Sequence, residues 1–151
     1  MLAALETARE TVARGAGGPF GACIVRDGKI LAVASNHVLS NNDPTAHAEV
    51  TAIRQACAGL ETHLLEGAEI YSTTEPCPMC FAAIHWARIK HVYYGTNIGD
   101  VAALGFNEMS LSNHQMREIG GSPVEITPDF MREECLGLLD FWTNYEKKQT
   151  Y

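Results

Sequence analysis

The chain has 151 residues, 46% hydrophobic and 19% charged, which fits one globular domain with a sizeable core. A formal net charge of −7 argues against a protein that grips phosphate backbones, so nucleic acid is not the expected partner. No apolar run approaches the roughly 20 residues that span a bilayer, and the opening "MLAALETARE" lacks the basic-then-apolar pattern of a signal peptide, so the expected location is the cytoplasm.

Residues 2–14 read as a helix, followed by the glycine-rich break "GAGGPFGA" at 15–22. Gly17 and Gly18 suit a tight turn and not a phosphate loop, because no Lys-Ser/Thr follows. Phe20–Arg26 reads as a strand, Asp27-Gly28 as a hairpin turn and Lys29–Ala34 as the return strand. The polar loop "SNHVLSNNDP" precedes a helix from about Thr45 to Ala58. Then come a strand at Ala68–Thr73, a helix at Cys77–Arg88 and a strand at His91–Gly95. Residues 96–121 read as irregular with short helical pieces, and Val124–Thr127 as a short strand. A last amphipathic helix is expected over Asp129–Lys147, with Phe130, Leu138, Phe141 and Trp142 as core candidates. Strands alternating with helices predict a layered α/β domain with helices on both faces of a mixed sheet.

Five cysteines in a chain without a secretion signal do not make a disulfide framework. Cys23, Cys57 and Cys135 lie in apolar or helical runs and read as small buried hydrophobes. Cys77 and Cys80 differ: they stand three apart at a helix start, flanked by Pro76 and Pro78, and so face one side of it. Thiolates there are favoured by the positive end of the helix dipole. His47 and Glu49 sit at the start of the preceding helix. If the two helix starts converge, His47, Cys77 and Cys80 supply the three protein ligands of a catalytic zinc, which keeps a fourth position for water. Glu49 then stands beside the metal, unbound, where a carboxylate can move protons. A redox Cys-x-x-Cys, or a structural zinc site with Cys57 as a fourth ligand, remains open on spacing alone.

His-Ala-Glu followed after 26 residues by Pro-Cys-x-x-Cys has the form of the zinc deaminase signature. The segments "GGPFGACIV", "NNDPTAHAEVTAIR", "TTEPCPMCFAAIHWARI" and "KKQTY" resemble the cytidine/deoxycytidylate deaminase-like superfamily, and within it most closely the small bacterial guanine deaminases. The resemblance implies a three-layer α-β-α sandwich with a mixed five-stranded sheet. It implies one zinc-dependent deaminase domain over residues 1–151, with about 129–151 as a C-terminal helix and tail that swaps in a homodimer. It implies zinc on His47, Cys77 and Cys80, one ion per chain, with Glu49 as proton shuttle. It also implies a substrate pocket of Asn36, Phe20, Trp86, the backbone of Ala48, Glu108 and the terminal Tyr151.

The implied reaction is hydrolytic deamination of guanine to xanthine and ammonia, through a zinc-activated hydroxide with Glu49 relaying the proton. A carboxylate at Glu108 suits guanine, whose ring N–H and exocyclic amine are adjacent donors, whereas adenine offers an acceptor at the corresponding ring nitrogen. Guanosine, a cytosine or triazine base, and adenosine in tRNA are the alternatives within the superfamily. The tRNA enzymes need a basic face, and the last helix carries Asp129, Glu133, Glu134 and Asp140. A non-catalytic zinc scaffold is the alternative from another class, and it would make Glu49 dispensable.

Overall fold

The computed structural model describes residues 1–150. In chain order it runs α1 (Leu2–Ala13), β1 (Gly21–Arg26), β2 (Lys29–Ser35), α2 (Val38–Asn41), α3 (Ala48–Leu60), β3 (Glu69–Thr74), α4 (Pro78–Trp86), β4 (His91–Thr96), α5 (Ile98–Ala102), α6 (Asn113–Gly120), β5 (Glu125–Thr127) and α7 (Arg132–Thr143). The five strands form one sheet in the order β2-β1-β3-β4-β5. β1 is antiparallel to both β2 and β3, while β3, β4 and β5 are mutually parallel neighbours. The sheet is therefore mixed, and it changes character between β1 and β3.

The hairpin closes as its sequence demands: Asp27 and Gly28 both have positive φ, 53° and 73°, which a two-residue hairpin turn of this hand requires. Alternation along the strands then sorts side chains to two faces. One face carries Ala22, Ile24, Ile70 and Val92 against Ala52 and Ala56 of α3 and Phe81 and Ile84 of α4. Alanines on α3 keep that helix close to the sheet. Each buried Ile or Phe contributes roughly 1.5–3 kcal/mol to folding. On the opposite side Leu5 and Ala8 of α1 pack with Cys135 and Leu138 of α7. At Gly95 in β4 an added Cβ would collide with the Cys135 sulfur, so glycine is what lets α7 lie against the sheet. Helices on both faces make the expected three layers.

Two stretches bear comparison with their sequence reading, and the first differs from it. The last helix starts at Arg132, not Asp129, because Asp129 and Met131 take left-handed φ values of 58° and 55°. Phe130 between them donates its backbone N–H to Tyr94 O instead of joining a helix. The helix ends at Thr143, short of Lys147. Leu138 and Trp142 are core as expected, but Phe141 is 38% exposed, with the Arg9 guanidinium over its ring. The second stretch, 96–121, has the short helical pieces expected of it, and its two helices, α5 and α6, each open on a reciprocal capping box, Asn97 with Asp100 and Ser112 with Gln115. Among the described residues, no helix is long and apolar enough to cross a membrane.

Candidate metal centre and substrate cavity

Helices α3 and α4 lie on the same face of the sheet, and each begins on a residue of the His/Cys/Cys group. His47 is the N-cap of α3 and Cys77 the N-cap of α4, with Pro78 at the first helical position. The His47 ring makes no cap hydrogen bond to its own helix, and the side-chain partners of the Cys77 thiol are His47 and Cys80. The two cap side chains turn toward one another. Cys77 Sγ lies 3.6 Å from His47 Nδ1 and 3.6 Å from Cys80 Sγ, and Cys80 Sγ lies 3.5 Å from His47 Nδ1.

This triangle fits a metal. With Zn–S of about 2.3 Å and Zn–N of about 2.0 Å, tetrahedral angles space the donors about 3.5–3.8 Å apart. The donor set, two sulfurs and an imidazole, suits zinc. Charge within the group is already divided. The hydrogen bond with Cys80 lowers the Cys77 thiol to about 4, against the opposing effect of burial and with further help from His47. Cys80 is pushed up well above the ordinary thiol range by its hydrogen bond with Cys77 and by burial. Burial alone would lower the His47 pKa, but the neighbouring Cys77 and Glu49 outweigh it and raise it. A metal ligand must be deprotonated, so a cation entering the triangle displaces the Cys80 thiol proton and its binding is coupled to proton release.

Glu49, in the first turn of α3, is buried. Its Oε1 accepts from Ser72 Oγ at 2.9 Å, and its Oε2 lies 3.4 Å from Cys80 Sγ. Burial drives its pKa up, against the effect of His47. It is a carboxyl group at the edge of the donor triangle, in a setting that favours carrying a proton.

A cavity of about 280 Å³ opens over this centre, where β3 delivers the chain to α4. Open α/β sheets place ligands at this position, beyond the carboxyl ends of parallel strands. His47, Cys77 and Glu49 line it, together with Phe20, Phe106 and Glu108. Phe20 meets the Phe106 ring edge-on at 4.9 Å between centroids. Burial raises the Glu108 pKa, Cys77 and Glu49 add to it, and His47 opposes it.

The remaining sequence-predicted residues are placed unequally. Asn36, directly after β2, is buried and is not among the residues lining the cavity; its Oδ1 accepts from the Val38 N–H at 3.1 Å. Its Nδ2 has no partner among the described residues, which leaves a buried donor. An added Cβ at Gly17 would collide with Asn36 O, so the glycine break holds this residue in place. Ala48 is fully buried at the first helical position of α3, between His47 and Glu49. Trp86 is 75% exposed and does not line the cavity, contrary to expectation. It ends α4, six residues beyond Cys80, which is roughly 9 Å along the axis and about 240° around it. Tyr151 lies outside the described residues. Sequence reasoning missed Ser72 and Glu75. Ser72 occupies an inward position of β3, and Glu75 is the acid directly before Pro76-Cys77, a signal visible in "TEPC".

The cytidine and deoxycytidylate deaminase zinc-binding region matches residues 1–96. A guanine deaminase of Bacillus subtilis (strain 168) is 44% identical over 98% of this chain and 94% of its own length. A tRNA-specific adenosine deaminase of the same organism is 36% identical over 87% of this chain and 80% of its own. Among solved structures, the guanine deaminase from Nitrosomonas europaea superposes with a TM-score of 0.84 at 29% identity, covering 93% of this chain and 80% of that one. A structure solved in complex with 2,6-diaminopurine superposes at 0.87, with 29% identity, 98% of this chain and 81% of that one. The chain belongs to the cytidine and deoxycytidylate deaminase zinc-binding family and is a zinc-dependent aminohydrolase.

Proposed function

We propose that the protein hydrolytically deaminates guanine to xanthine and ammonia, with His47, Cys77 and Cys80 holding one zinc ion per chain. The observation that carries the reading is a cavity in which a half-buried carboxylate, Glu108, shares the wall with His47, Cys77 and Glu49. Similarity to a guanine deaminase over 98% of the chain supports it. The cavity, about 280 Å³, falls just below the roughly 300–1,000 Å³ usual for small-molecule sites, which favours a free base.

When bound, zinc supplies the Lewis acidity that brings the pKa of water to about 7. The chain's own residues do the rest. Glu49 takes a proton from the attacking water and delivers it to a ring nitrogen as the oxygen adds to carbon 2. Ser72, bonded to Oε1, fixes the carboxylate and leaves Oε2 to move the proton. Glu49 then takes the proton of the hydroxyl now on carbon 2 and passes it to the amine, so that ammonia leaves as the carbon 2 carbonyl forms. Glu108 accepts from the ring N–H and the exocyclic amine, orienting carbon 2 over the metal group. The Nδ2 of Asn36 donates to an acceptor of the base, which satisfies a donor otherwise buried without a partner. Phe20 packs against the ring, and the first-turn N–H of Ala48 faces the substrate.

The domain is proposed to act as a homodimer whose tail crosses to the partner, with Tyr151 closing the neighbour's cavity. Deleting residues 147–151 should then lower turnover while leaving zinc content unchanged, and equal losses of both would remove the tail from the account.

The test of substrate is ammonia release from zinc-loaded protein given guanine, guanosine, cytosine and an adenosine-containing tRNA anticodon stem-loop. Guanine turnover alone, or in large excess over the others, is the expected result. Preference for the stem-loop would keep the metal chemistry and overturn the base assignment.

A further inference from the structure

Glu75 is a buried carboxylate, 7% exposed, at the junction of β3 and α4. It is paired with no cation among the described residues. Burying an ionised carboxylate is costly unless donors surround it. Here the donors are backbone groups from one distant segment. Oε1 accepts from the Asn113 N–H at 2.8 Å, and Oε2 from the Ile98 N–H at 3.4 Å. The backbone N–H of Glu75 donates to Thr96 O at 2.7 Å, so the junction is held to the end of β4 as well.

Ile98 and Asn113 are the two ends of the segment that carries Phe106, Asn107, Glu108 and Met109 into the cavity wall. The amide of Asn113 tightens the same closure by donating from Nδ2 to Pro76 O, one residue before Cys77. One side chain thus pins both ends of the cavity-lining segment to the turn that presents a metal ligand.

We infer that Glu75 is a positioning residue for substrate recognition: by accepting from Ile98 and Asn113 it sets where Glu108 stands relative to His47, Cys77 and Cys80. The inference rests on the guanine reading for the substrate that Glu108 meets. It does not make Glu75 a proton carrier. Glutamine in its place keeps shape but offers one acceptor oxygen and an NH2 group, so one backbone N–H loses its partner.

The test compares zinc-loaded wild type with Glu75→Gln, first by hydrogen exchange. Residues 98–113 should exchange roughly tenfold faster in the variant, with residues 47–60 and 77–86 unchanged and zinc content equal to wild type. The second readout is a double-mutant cycle with Glu108→Gln on guanine kcat/KM. Glu75→Gln alone should lose roughly 30-fold, but less than roughly threefold when Glu108 is already glutamine. Unchanged exchange over 98–113, or fully additive losses, would overturn the inference. If wild type does not turn guanine over, the guanine reading fails while the exchange comparison still decides the role of Glu75. Should Glu75→Gln not fold, Asn113→Pro removes the same N–H at a first helical position that accepts proline, after a Ser112 already at ψ 157°. Asn113→Ala, which keeps that N–H, is its control. Faster exchange over 98–113 in the proline variant than in the alanine variant is the expected result, and equal exchange would overturn the inference.

Discussion

The two halves of the site are built in different ways. The metal half comes from the starts of two regular helices, α3 and α4, whose N-caps are themselves members of the donor group. The proposed recognition half comes from the connection between α5 and α6, which has no regular structure where it carries Phe106–Met109 into the cavity wall. The first is positioned by helix geometry and sheet packing. The second is positioned by tethers: Glu75 at both ends, and the Arg132 fork on Asp100, with bonds of 2.8 and 3.0 Å to α5. A fold divided in this way can keep its hydrolytic chemistry fixed while the base it accepts changes with one connection.

Breaking the metal half should have the largest effect. His47→Ala leaves two sulfurs and no imidazole, so zinc per chain and ammonia release should both fall to background. Zinc retained at the wild-type level, read by elemental analysis, would contradict the ligand assignment. Breaking the recognition half should be milder and leave the metal alone. Glu108→Gln should lower guanine kcat/KM by roughly 10- to 100-fold at unchanged zinc, the range expected for losing a charged hydrogen-bond partner. Loss of zinc in that variant would erase the distinction between the halves.

A finer cut lies within the metal half. Ser72→Ala removes the donor to Glu49 Oε1 and should lower kcat by about tenfold, with little change in KM. A change confined to KM would move Ser72 to the recognition side. The smallest effect concerns a tether. Arg132→Met should cost about 1 kcal/mol at neutral pH, the scale of a partly exposed but bidentate pair, seen as a lower urea midpoint. Burial alone would raise the Asp100 pKa, but the Arg132 guanidinium and the Asn97 N–H outweigh it and hold the pKa below the ordinary value of 3.8. A depressed carboxylate pKa stabilises the fold above its unfolded value and loses that contribution as pH falls through the folded one. The difference between variant and wild type should therefore be full at pH 6 and shrink below pH 4. A difference that grows in acid would give the pair the wrong sign.

The same division explains how much is legible in the sequence. His47 with Glu49, and Cys77 with Cys80, are each placed by short spacings at a helix start, and a helix converts spacing into direction; the convergence of the two starts is supplied by the packing of α3 and α4 side by side on the sheet. The hairpin at Asp27-Gly28 and the succession of strands and helices along the chain are legible for the same local reasons. What is not legible depends on contacts distant in sequence. Nothing near Asp129 announces that Phe130 bonds to Tyr94 and delays α7 to Arg132. Nothing near Phe141 tells that Arg9 covers it. Resemblance puts Trp86 in the pocket, while the helical rotation after Cys80 turns it to solvent. Glu75 stands in plain view before Pro76, but its partners lie 23 and 38 residues downstream. The capping boxes of α5 and α6 are local signals, Asn-x-x-Asp and Ser-x-x-Gln, and mark helix starts within a stretch that otherwise reads as irregular.

The most direct test of the central claim is xanthine formation from guanine by wild type and by Glu49→Gln, prepared with equal zinc. The account predicts one ammonia per xanthine in wild type and a loss of roughly 10³-fold or more in the variant, since a general acid–base group contributes about 10²–10⁴-fold. Equal rates in the two proteins, or no xanthine from either, would contradict it.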